Sequence, residues 1–196
     1  MAKVHFITHP EVAIDPAVPV PDWPLSPRGL ARTQAMLAQP WVAEVRSVFS
    51  STERKATDMA AMLAGHLGLD FTQMAALGEN DRSATGYLKR AEFEATADAF
   101  FARPDDSVRG WERAVDAQAR IVAAVQAVLA QAPPGDVAIV AHGGVGALLL
   151  CHLKHVPISR AEDQPGEGGG NIFVFGRADW ALVQGWRRIE EGTGTR

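Results

Sequence analysis

The stretch Val137-Ala138-Ile139-Val140-Ala141-His142-Gly143-Gly144 decides the fold. Pro133-Pro134-Gly135-Asp136 stops whatever precedes it, and the unbroken apolar run Val137 to Val140 then has no polar alternation. A strand with that pattern is covered on both faces, as happens in parallel sheets. After the glycine pair the chain continues as a helix to about Leu153, so strand, tight glycine turn and helix follow one another without a linker.

Working outward, Val4 to His9 reads as a first strand and Val45 to Ser50 as a second. A proline-rich loop, Val12 to Pro24, leaves the first strand. Ser26 as N-cap and Pro27 at the first helical position open a helix that runs to about Gln39. Ser51 or Thr52 caps a second helix ending near Gly65 to Gly68. Leu69 to Tyr87 reads as irregular, and two more helices follow at Lys89 to Ala102 and Glu112 to Gln131. Beyond the glycine-rich Gly166 to Gly170 come two closing strands, Asn171 to Phe175 and Trp180 to Trp186. This alternation predicts one α/β domain over residues 1–196. It is a three-layer α/β/α sandwich whose mostly parallel sheet carries an antiparallel strand near the end.

Composition narrows the function. With 47% hydrophobic residues, a formal charge of −4 and one cysteine, the chain has the make-up of a soluble globular domain. It offers no global attraction to nucleic acid or an acidic membrane, so an anionic ligand needs a local cluster of basic groups. The N-terminal apolar stretch is too short and too polar for a signal peptide, and no window spans a membrane; a cytoplasmic location is the expectation. Oligomeric state is not legible. Cys151 lies in an apolar run and reads as a buried, inert thiol.

In an open α/β sheet the ligand lies at the carboxyl ends of the strands. Thr8-His9-Pro10-Glu11, Ser50-Ser51-Thr52-Glu53-Arg54 and Ala141-His142-Gly143-Gly144 stand there. Two histidines and an arginine therefore converge, and Gly143 lets a ligand approach the N-terminus of the helix behind it. Arg54 sits in a first helical turn, where the helix dipole disfavours a cation, which points to a bound anion. Two other readings weaken on spacing. Gly144-Val145-Gly146 lacks the third glycine of a dinucleotide fingerprint, and His5 with His9 lacks a third metal ligand.

Taken in order, these motifs resemble the histidine phosphatase superfamily, with its phosphoglycerate mutase-like fold. Thr8-His9-Pro10 is similar to that family's Arg-His-Gly, and Leu25-Ser26-Pro27-Arg28-Gly29 to its Leu-Thr-x-x-Gly. Ser50 to Ala60 is similar to Ser-Ser-x-x-x-Arg-x-x-x-Thr-Ala with Arg54 as the arginine. Leu77-Gly78-Glu79 resembles the segment bearing the acid/base glutamate, and Val140 to Gly144 the second-histidine motif.

The resemblance implies a phosphatase acting on a small phosphorylated metabolite through a phosphohistidine on His9, without metal or cofactor. Arg54 would grip the phosphoryl oxygens, His142 would stabilise their charge, and Glu79 would shuttle the proton, with Asp81 or Glu92 as alternative acids. Two departures stand out, Thr8 for arginine and Pro10 for glycine. Losing a charged donor costs about 2–4 kcal/mol in a transition state, and Arg82, then Lys55, are the candidate replacements. A family member that binds a phospho-ligand or a protein without turnover is the alternative.

Overall fold

The computed structural model describes residues 1–191. Six strands form one sheet: β1 (Lys3–Thr8), β2 (Val45–Ser50), β3 (Phe71–Gln73), β4 (Asp136–Ala141), β5 (Asn171–Gly176) and β6 (Leu182–Arg188). Their spatial order is β3-β2-β4-β1-β5-β6. β1 to β4 are mutually parallel, and β5 is antiparallel to both of its neighbours, β1 and β6. The helices are α1 (Pro27–Leu37), α2 (Arg54–Leu67), α3 (Arg90–Ala102), α4 (Ala114–Gln131) and α5 (Gly143–Leu153).

Alternation along the strands divides the core. Val4 and Phe6 of β1, with Val137, Ile139 and Ala141 of β4, pack under α4 and α5. Ile7, Ala138 and Val140 face the other way, against α1 and α2. Fully burying side chains of this size contributes about 1.5–3 kcal/mol each. The helix α5 is buried nearly all round, as its apolar run requires. On its outer side α3 closes a smaller cluster of Phe100, Phe101 and Trp111.

Ser26 caps α1 as its sequence implies, accepting from the Gly29 amide at 3.0 Å, with Pro27 at the first position. Gly29 is required there, because a Cβ would lie 2.2 Å from the Glu11 carbonyl oxygen. The second helix differs from expectation. Its N-cap is Glu53, and neither Ser51 nor Thr52 caps it, because Ser51 turns its hydroxyl toward His142. The short edge strand β3 lies in the segment that reads as irregular, and three residues carry too little pattern to announce a strand.

Two pairings fix the site. Thr8 is the Cα partner of Ala141, so β1 and β4 end side by side and deliver His9 and His142 as neighbours. Ser50 pairs with Val140, which brings the start of α2 to the same edge.

Candidate active site

His9 leaves β1 with its backbone N–H donated to the Ala141 carbonyl at 3.2 Å. Its Nδ1 lies 2.9 Å from the Pro10 carbonyl oxygen, so Nδ1 carries the proton and Nε2 keeps a free lone pair. Burial, together with His142 and Lys55 nearby, pushes its pKa down to about 3. Pro10 has no N–H, but its carbonyl does the orienting. His5, four residues earlier, is committed elsewhere: it stacks on Trp41 at 4.7 Å and meets Asp136 at 2.9 Å.

The His142 ring stands 5.2 Å from that of His9. Its Nε2 lies 2.7 Å from Ser51 Oγ and 3.3 Å from Glu53 Oε1, and the carboxylate assigns the proton to Nε2. Nδ1 is buried without a partner among the described residues. Burial lowers the pKa of His142, although Glu53 and Glu79 oppose it.

The cation from α2 is Lys55 and not Arg54. Arg54 is exposed, whereas Lys55 is buried, with Nζ 2.5 Å from Glu53 Oε2 and 2.8 Å from the Val20 carbonyl. Successive helical side chains point about 100° apart, so only one of the two can face the histidines. The sequence carried that signal: three residues after Ser50-Ser51 the next position is Lys55. Glu53 went unread altogether. Burial would raise its carboxyl, but His142 and Lys55 outweigh it and hold it at about 2, so it is ionised.

Glu79 reaches the N-terminus of α5. Its Oε2 accepts from the Gly144 amide and its Oε1 from the Val145 amide, each at 3.0 Å. Burial would raise its pKa, yet Arg82, His142 and the Gly144 amide together depress it. Asp81 and Glu92 lie exposed, which leaves Glu79, of these three acids, beside the site; Glu53 also touches it but is tied to Lys55. Arg82 Nη2 is 3.3 Å from Glu79, with its guanidinium 5.0 Å and 4.9 Å from the Phe93 and Trp111 rings.

Thr8 does not face the crevice. It is fully buried, and its hydroxyl accepts from the Asn171 amide at 2.9 Å and donates to Gln164 Oε1 at 2.7 Å. Gln164 is a second residue that sequence reading missed. Its Nε2 lies 2.2 Å from where a Gly143 Cβ would stand, so Gly143 serves first to admit that amide.

A family model described as "Histidine phosphatase superfamily (branch 1)" matches residues 9–185. Among solved structures, mycobacterial glucosyl-3-phosphoglycerate phosphatase is similar at 25% identity and a TM-score of 0.71, over 95% of this chain and 96% of that one. Bacillus stearothermophilus YhfR is similar at 20% identity and a TM-score of 0.78, over 94% and 95%. Phosphoserine phosphatase from Entamoeba histolytica is similar at 18% identity and a TM-score of 0.69, over 94% and 95%. No curated protein matches the chain.

Proposed function

This chain belongs to the histidine phosphatase superfamily, and from that premise we propose that it hydrolyses a small phosphomonoester through a phosphohistidine on His9. The observation that carries the reading is the His9 ring, whose Nδ1 is tied to the Pro10 carbonyl while Nε2 is bare. A neutral imidazole with its lone pair held in one direction is an activated nucleophile, and it needs no further base.

In the first step Nε2 bonds to phosphorus as the bond from phosphorus to the leaving oxygen breaks. In the second, water attacks phosphorus and Nε2 leaves. The cations Lys55 and Arg82 stabilise the equatorial oxygens in both steps. His142 joins them when the phosphate dianion keeps both of its ring nitrogens protonated, since the single proton of the neutral ring is directed at Glu53. Glu79 gives a proton to the leaving alkoxide in the first step, where the substrate dianion beside it favours its protonated form. Its carboxylate then takes a proton from the attacking water in the second, which restores it within the same turnover.

A second reading is favoured by one observation, the close Lys55–Glu53 pair. Lys55 and Arg82 each face a carboxylate, so two cations meet two anions around neutral histidines. Such a site attracts a phosphate dianion weakly, as in a protein that binds its phospho-ligand without turnover. p-Nitrophenyl phosphate turnover with acid-labile phosphate trapped on the protein separates the two. The phosphatase reading expects both in the wild type and neither in His9→Ala; turnover surviving in His9→Ala, or no trapped phosphate in an active wild type, overturns it.

A further inference from the structure

We propose that the Gln164 carboxamide is the neutral donor to the phosphoryl oxygens beside His9, aimed by Thr8 and Asn171. The inference rests on the phosphatase reading and adds a binding residue to it.

The orientation of the Gln164 amide is fixed by its neighbours. Asn171 Nδ2 lies 3.3 Å from both the Pro165 and Gly169 carbonyl oxygens, which identifies it as the amino end of that side chain. The Gln164 atom 3.1 Å from Nδ2 is therefore the oxygen. Thr8 agrees: its hydroxyl accepts from the Asn171 amide, and of the two acceptors in reach of its proton, Gln164 Oε1 at 2.7 Å and the Asn171 carbonyl at 3.3 Å, the nearer is Gln164. With Oε1 held twice, Nε2 has one direction left, toward Gly143.

That direction leads to the site. Gly143 is the first residue of α5 and follows His142, while Thr8 precedes His9 and is paired with Ala141. Nε2 thus lies against the junction of both histidine-bearing strand ends. Among the described residues it donates to no protein acceptor, so two N–H bonds remain for a ligand oxygen. A Gly143 side chain would occupy the space the amide fills. Thr8 and Asn171 are positioning residues in this scheme, and Gln164 touches the phosphoryl group. A carboxamide also adds no charge, in keeping with the two paired cations across the site.

The test compares wild type, Gln164→Leu, Thr8→Val, Thr8→Ser and the Gln164→Leu/Thr8→Val pair, reading kcat, KM and the affinity for vanadate by calorimetry. Losing one preorganised donor lowers kcat by on the order of a hundredfold, with a parallel loss of vanadate affinity. Thr8→Val should show a smaller loss of the same kind, Thr8→Ser none, and the pair no more than Gln164→Leu alone. Gly143→Ala, which displaces the amide without altering it, should resemble Gln164→Leu. If Gln164→Leu stays within about twofold of an active wild type, or the two losses simply add, this inference falls and the phosphatase reading stands. If the wild type neither turns over nor binds vanadate, both fall.

Discussion

Lys55 and Arg82 each face a carboxylate beside the histidines, but only Lys55 is enclosed with its partner. Its side chain is 5% exposed and that of Glu53 14%, and Nζ has a second acceptor in the Val20 carbonyl. Arg82 is 26% exposed, sits at 3.3 Å from Glu79, and rests on the faces of Phe93 and Trp111. A compact ammonium held by two acceptors belongs to the floor of the site. A planar guanidinium supported from behind by rings keeps donors for a ligand. The same pairing of charges thus fixes one cation in place on one flank and leaves the other adjustable on the opposite flank.

The largest effect should come from breaking the enclosed pair. Lys55→Met strands the Glu53 carboxylate in a buried place, and removing one partner of a buried pair costs about 3–5 kcal/mol. Arg82→Met leaves the Glu79 carboxylate still held by the Gly144 and Val145 amides and should cost less, on the order of 1–2 kcal/mol in stability, while raising KM and weakening vanadate binding. Calorimetric unfolding of both variants checks the contrast, and equal shifts in the unfolding midpoint would remove it.

A smaller effect, with a sign fixed by protonation, is expected from Glu53→Gln. The Glu53 carboxyl stands at about 2 in the folded protein against an ordinary value of 4.5. The unfolded chain therefore binds that proton first. The stability this group contributes is complete above pH 4.5 and is lost as pH falls toward 2. Glu53→Gln should be less stable than wild type at neutral pH but lose less on acidification through that window. Freed of its carboxylate, Lys55 should then bind vanadate more tightly, by about tenfold, worth 1.4 kcal/mol. Weaker vanadate binding, or an unchanged acid limb, would contradict the role given to Glu53.

How far the sequence reveals this site follows from how local each signal is. The capped start of α1, the doubly buried β4 and the glycine turn after His142 are written in adjacent residues, and the structure has them where the pattern places them. His9 and His142 follow because parallel strands of the same sheet end together. The Thr8–Gln164 bond joins residues 156 apart, and the glycine-rich loop between α5 and β5 has no period that would announce which side chain turns inward. Glu53 is hidden for another reason: a glutamate before a helix reads as a solvated cap residue until Lys55 and His142 are seen around it.

The smallest expected effect is at Arg54, and it tests the register on which the comparison depends. Ser50-Ser51 followed by three residues leads to Lys55, and α2 begins at Arg54 with that side chain exposed. Side chains one position apart on a helix diverge by about 100°, so a helix start that buries Lys55 against Glu53 must turn Arg54 outward. Arg54→Ala should change stability by no more than about 0.5 kcal/mol, as for ordinary surface positions, and leave vanadate affinity within about twofold. Lys55→Ala, by contrast, should weaken both. A tenfold loss of vanadate affinity in Arg54→Ala, with Lys55→Ala unaffected, would reverse the assignment and put the arginine back over the histidines.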